Sequence, residues 1–305
     1  MKKILFSLTL LVCFAFPSFA GDLDSSVVDH LQKISLTIET PRGSGSGVIK
    51  TRKRGDKNIS FVWTGAHVVD HLRHIKSIID GKTGTERTVV EFDDAKSVKT
   101  LVEDGRTIGR IEIFSQVIRF SKDEDLALLR IRQVNFTTES VRFYLDEKLP
   151  HVGTSLCHVG SILGEQLGGN SFTTGVMSAH GRLLDGHVFD QTTVMADHGS
   201  SGGGVFLFDG RLVGLVLQGT GQSMNYIAPA RRIVKFARDG GIAWAVDDSV
   251  TLPTDEELKK LVIEDNGIVF PASPVALPDK KSSKKLFQEK KSITFGEFFL
   301  NGLPQ

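Results

Sequence analysis

Cysteine is almost missing from this 305-residue chain, which has two, Cys13 and Cys157. That scarcity excludes a disulfide-stapled scaffold and a cysteine-rich zinc site. An excess of either charge is missing too. Lys and Arg number 37 against 36 for Asp and Glu, a net charge of +1. So even a balance gives no electrostatic pull toward nucleic acid. Past the first 20 residues, no apolar run approaches the ~20 residues a membrane-spanning helix needs. Hydrophobic residues make up 40%, too many for a disordered chain and ordinary for a packed core.

The N-terminus is patterned. Lys2 and Lys3 precede an apolar run over 4–16, followed by Pro17, Ser18, Phe19 and Ala20. A positive start, a short apolar stretch and small residues before the cut make a secretory signal, predicting cleavage after Ala20 and export to periplasm or medium. Residues 1–20 are then a leader, and Cys13 leaves with it. Cys157, in the apolar stretch Ser155-Leu156-Cys157-His158-Val159, reads as a small buried hydrophobe. The mature chain is expected to be soluble, with no stable membrane insertion.

Glycine is plentiful at 31, which suits tight turns and close backbone approaches. Residues 34–39 alternate, with Ile34, Leu36 and Ile38 on one face and Ser35, Thr37 and Glu39 on the other. That is the period of a half-buried strand. Many similar short runs follow, and helical patterns are few, at about 24–33, 66–71 and 230–238. The expected class is all-β, a sandwich or barrel. Composition changes near Gly240. A body over 21–240 gives way to a tail over 241–305, expected to be partly extended or disordered, or else an arm that docks onto the body. It is punctuated by Pro253, Pro271, Pro274 and Pro278 and carries a basic run over 280–285.

Three stretches carry chemistry. His198-Gly199-Ser200-Ser201-Gly202-Gly203-Gly204 crowds glycine around a serine just before a strand. A nucleophilic serine needs an exposed hydroxyl and neighbouring N–H groups aimed at the developing oxyanion. That assigns Ser201 as nucleophile, with the N–H groups of Gly199 and Ser201 as oxyanion hole. Phe61-Val62-Trp63-Thr64-Gly65-Ala66-His67 is an apolar strand ending in small residues and then a histidine, the residue type of a general base. Lys122-Asp123-Glu124-Asp125-Leu126-Ala127-Leu128-Leu129 feeds an acidic cluster into a strand. Asp125, the last acid, is the one expected to point inward and orient the imidazole. His67, His71 and His74 also raise a metal site, but no carboxylate or cysteine set accompanies them. No metal and no cofactor are expected.

These segments resemble the trypsin-like serine peptidases. Thr64-Gly65-Ala66-His67 resembles their T-A-A-H, Asp125-Leu126-Ala127-Leu128-Leu129 their D-[LI]-A-[LV]-L, and Gly199-Ser200-Ser201-Gly202-Gly203 their G-[ND]-S-G-G. The opening strand Gly43-Ser44-Gly45-Ser46-Gly47-Val48-Ile49 and the run Thr174-Gly175-Val176-Met177-Ser178-Ala179 resemble the HtrA-like (Deg-type) bacterial branch. Ser200, Gly65 and Gly204 depart from the usual Asn or Asp, Ala and Pro. Nothing after Gly240 resembles the PDZ domains many Deg-type enzymes carry.

The resemblance implies two six-stranded antiparallel β-barrels with His67, Asp125 and Ser201 as a triad in the cleft between them. It implies a serine endopeptidase acting on protein or peptide through an acyl-enzyme. It also places Met195 at the base of the substrate pocket, with Leu217, Gln218, Gly219 and Ile227 on its walls. No acid stands at that base, so a small or medium apolar side chain is expected to enter. The rival reading is a catalytically silent fold of this kind acting as a binding module. The complete set of three side chains argues against it.

Overall fold

The computed structural model describes residues 23–264, apart from 42, 80, 82–83, 104, 165–167 and 220–223. The expected leader over 1–20 and the part of the tail from 265 onward lie outside the described residues. The chain divides into two units, Met1–Lys76 with Val89–Ile268, and Ser77–Thr88 with Val269–Gln305. The first carries both barrels. In the second, the described residues belong mainly to the outer ends of β4 (Arg73–Ile79) and β5 (Glu86–Phe92).

Helix α1 (Ser25–Lys33) opens the described chain, with Asp24 as N-cap accepting from the Ser26 N–H at 2.8 Å. The first barrel follows: β1 (Ser35–Thr40), β2 (Gly43–Arg54), β3 (Lys57–Thr64), β6 (Ala95–Glu103), β7 (Arg106–Ser121) and β8 (Leu126–Ile131). They close in the order β1-β2-β3-β8-β7-β6. Leu36, Ile38, Val48, Val62 and Leu128 are among the buried residues that fill it. Strand β1 is buried on both faces rather than one, since Ser35 and Thr37 are 2% and 1% exposed. The reason is that α1 and the second barrel cover its outer face. Ser35 Oγ donates to Leu31 O at 2.8 Å, and Thr37 Oγ1 shares a short hydrogen bond with Ser161 Oγ.

After β9 (Arg142–Phe143), the second barrel comprises β10 (Ser155–Gly160), β11 (Ser171–Leu184), β12 (His187–Thr192), β13 (Gly204–Leu207), β14 (Arg211–Gly219) and β15 (Asn225–Pro229). The order β13-β10-β11-β12-β15-β14 closes through a β13–β14 pairing, and β9 adds a parallel edge to β14. Leu156, Met177, Val205, Val213 and Ile227 form its separate apolar cluster.

The chain does not leave the body at Gly240. Beyond the helix Ala230–Asp239, residues 241–264 run back along the first barrel. Trp244 is 2% exposed and stacks on Phe61 with centroids 4.6 Å apart. Trp63 Nε1 donates to Ala245 O at 3.0 Å. The Arg52 guanidinium donates to the carbonyls of Trp244, Asp247, Asp248 and Val250. Lys50, 1% exposed, reaches the Asp248 carboxylate.

Candidate active site

Strand β3 ends at Thr64, and Gly65 caps a single helical turn, Ala66–Val69, that presents His67. Asp125 sits just before β8 with φ +48, a left-handed conformation that Asp tolerates better than most residues. This turns its carboxylate onto the helical turn. Asp125 Oδ1 accepts the His67 backbone N–H at 2.9 Å, and Oδ2 lies 2.8 Å from His67 Nδ1. One acid thereby fixes both the main chain and the ring of His67. With Nδ1 facing a carboxylate, the ring carries its proton on Nδ1 and leaves Nε2 bare to accept one.

Ser201 comes from the other barrel, on a loop that only glycine can shape. Gly199 has φ +91 and Gly202 φ +83. A Cβ on Gly202 would stand 2.2 Å from Thr64 Oγ1, and one on Gly199 would stand 2.1 Å from Ser161 O. Ser200 turns inward and is fully buried, its Oγ accepting from Asp197 N at 3.2 Å. Several contacts hold the loop from outside, among them Gly202 N donating to Val216 O at 2.7 Å and Val216 N donating to Gly203 O at 2.9 Å. Ser46 N donates to Ser201 O at 2.7 Å, Ser46 Oγ donates to Gly199 O at 2.7 Å, and Leu163 N donates to His198 O at 2.7 Å. A trans peptide points its C=O and N–H in opposite directions. Pinning the His198 carbonyl on Leu163 therefore turns the Gly199 N–H the other way. The N–H groups of Gly199 and Ser201 donate to no acceptor among the described residues.

His67 and Ser201 line one open cavity of about 650 Å³, with Val68, His71, Leu163 and Gly199 also on its walls. No hydrogen bond joins the Ser201 hydroxyl to the His67 ring. Such contacts are commonly loose without substrate and tighten in the complex.

A second cavity of about 190 Å³ opens beside Ser201 and is lined by Ala196, Val216, Gln218, Gly219 and Asn225, with Asp197 and His198 at its edge. Gln218 and Gly219 stand on its wall. Met195 does not floor it. Its backbone O accepts from Thr173 Oγ1 at 2.8 Å, and the residue is 61% exposed. Leu217 and Ile227 are not on that wall: Leu217 sits at a register shift in β14 and joins the larger apolar core, and Ile227 lies in the second barrel's apolar cluster. Asn225 takes the inner position instead. Nothing in the sequence marks Asn225, Ser46 or Leu163 as parts of a site, since their roles depend on backbone atoms of distant segments.

Other reactive groups stand apart. Burial pushes the Cys157 thiol up to about 12, so it stays protonated and inert. His74 pairs with Asp93 at 2.7 Å on the surface. Among the described residues, Asp123, Glu124 and His187 approach one another as metal ligands would, but Glu124 already accepts from Arg232 Nε at 2.7 Å.

Two closed six-stranded antiparallel barrels define the chymotrypsin-like class of folds. The chain belongs to the family described as the trypsin-like peptidase domain, whose model matches residues 44–215. It is similar to a probable periplasmic serine endoprotease DegP-like of Pseudomonas putida, at 30% identity over 59% of this chain and 33% of that protein. A protein of the same description from Halomonas elongata is 27% identical over 72% of this chain and 36% of that protein. The matched region thus spans about a third of these relatives. Among solved structures, Deg5 superposes with a TM-score of 0.50 at 21% identity, over 73% of this chain and 95% of that one. An inactive mutant form of Rv3671c from M. tuberculosis H37Rv gives 0.50 at 14% identity, over 72% and 92%.

Proposed function

We propose that this chain is a serine endopeptidase that cleaves peptide bonds by acyl transfer, with His67, Asp125 and Ser201 as its triad. The observation that carries the reading is the double hydrogen bond of Asp125 to His67 in a cleft shared with Ser201. His67 Nε2 takes the Ser201 proton as Oγ attacks the scissile carbonyl. Asp125 holds the ring and stabilises the imidazolium that forms. The N–H groups of Gly199 and Ser201 receive the oxyanion, a contribution of about 3 kcal/mol per donor in such sites. His67 then protonates the leaving amine. Water, activated by the same base, releases the acyl group. The leader pattern at residues 1–20 and the word periplasmic in the relatives' descriptions support action outside the cytoplasm.

The test is Ser201→Ala in the full chain. Hydrolysis of an unfolded protein substrate is expected to fall at least ~10⁴-fold, and labelling by a fluorophosphonate is expected to disappear while thermal unfolding stays the same. Undiminished hydrolysis by the variant would show that another group is the nucleophile.

A further inference from the structure

Asn225 is 1% exposed at the inner end of the 190 Å³ cavity beside Ser201. Its Nδ2 donates to Val194 O at 2.6 Å. A carbonyl can only accept, so this bond fixes the orientation of the amide and leaves Oδ1 as a bare acceptor. Oδ1 has no partner among the described residues. It lies 2.6 Å from where a Cβ on Gly219 would stand, so a side chain at that wall position would press on the oxygen and only glycine leaves room beside it. A second orphan stands beside it. Thr192 is the register partner of Asn225 across β12 and β15, and paired residues on neighbouring strands share a face. The Thr192 hydroxyl is also buried without a partner. Buried polar groups are nearly always satisfied, and two adjacent exceptions call for a ligand that supplies what is missing.

We propose that Asn225 sets the specificity of the cleft, and that the side chain preceding the scissile bond is a carboxamide, glutamine or asparagine. This rests on the peptidase reading and names its substrate class. The incoming NH₂ donates to Asn225 Oδ1. The cavity volume equals about six waters at ~30 Å³ each, which matches a medium side chain. An apolar side chain of the same size leaves Asn225 Oδ1 unpaired, and discrimination by a site built to hydrogen-bond its substrate is steep. No carboxylate lies at the inner end. The acid at the edge, Asp197, is exposed and accepts the neighbouring His198 N–H at 2.7 Å.

The experiment measures kcat/KM on peptides that differ only at this position, in the near-isosteric pairs Gln against Met and Asn against Leu, with Lys as a further member. Wild type is expected to favour at least one carboxamide over its partner by about tenfold or more. Asn225→Leu and Asn225→Ala are expected to bring that ratio to one or below. The ratio is taken within each variant, so partial misfolding does not distort it. Equal or better cleavage after Met and Leu, a dominant preference for Lys, or a ratio that survives both substitutions overturns the proposal. Fluorophosphonate labelling of wild type separates the two readings. Labelling with flat ratios sinks the carboxamide assignment alone, and no labelling sinks the peptidase reading together with it.

Discussion

The two halves of the cleft are held in different ways. On the first-barrel side, one carboxylate grips its histidine directly, through the His67 backbone N–H and through Nδ1. On the second-barrel side, Ser201 rides on a glycine loop held by its own turn bonds, such as Ser200 N to Asp197 O and Gly203 N to Ser200 O, and by groups from other segments. Ser46 reaches across from β2 of the first barrel, and Leu163 from the segment after β10. The base is preorganised by a side chain, whereas the nucleophile loop is preorganised mainly by main-chain bonds, from Leu163 and Val216 of the second barrel and from Ser46 of the first. Part of the second half's support therefore crosses between barrels, while the first half needs only β3, its helical turn and β8.

The largest effect is expected where one side chain does all the holding. Asp125→Asn keeps the size of the group but offers an NH₂ that favours the wrong ring tautomer. kcat is expected to fall about 10⁴-fold, with KM and the unfolding midpoint little changed. A loss smaller than tenfold would mean that other groups orient His67 and that the contrast between the halves is overstated.

This contrast also explains what could be read from sequence. His67, Asp125 and Ser201 each sit in a short contiguous pattern whose spacing encodes a strand end, a turn or a glycine loop, so local rules find them. Met195 shows where such rules stop. The family resemblance implies a place for it at the pocket base, but its backbone O accepts from Thr173 Oγ1 and the residue is 61% exposed. The same limit applies to residues 241–264. Arg52 secures them through four backbone carbonyls, and carbonyls have no signature in a sequence. Asn225 is legible only from an oxygen that lacks a partner, which is a property of the folded chain.

The second-barrel side carries a pH liability of its own. His158 on β10 is fully buried behind the nucleophile loop. Its Nδ1–H donates to Gly204 O at 2.9 Å, and its Nε2 has no partner among the described residues. Desolvation lowers its pKa to about 4 from the ordinary 6.5. Between those values the unfolded chain binds a proton that the folded chain refuses. Stability is therefore full above about pH 6.5 and declines as pH falls toward 4, by about 3 kcal/mol in all. Urea unfolding between pH 7 and 4 is expected to show a shallower decline in His158→Gln than in wild type. Parallel declines would show that His158 does not titrate differently in the two states.

The smallest effect, and the most direct on the comparison, belongs to Ser46. This residue is fully buried, and its hydroxyl both donates to Gly199 O and accepts from Ser161 N at 2.8 Å. Ser46→Ala removes the side-chain bonds but leaves the Ser46 N–H on Ser201 O. The Gly199 carbonyl then loses its anchor, which loosens the Gly199–Ser200 peptide between the two oxyanion donors, while the Gly199 N–H keeps the aim that the Leu163 bond to His198 O gives it. The cost should appear in the transition state rather than in ground-state binding. kcat is expected to drop about tenfold, equivalent to ~1.4 kcal/mol, with KM nearly constant. A matching rise in KM would place Ser46 in substrate binding, and an unchanged kcat would show that the glycine loop holds its shape without the first barrel's hydroxyl.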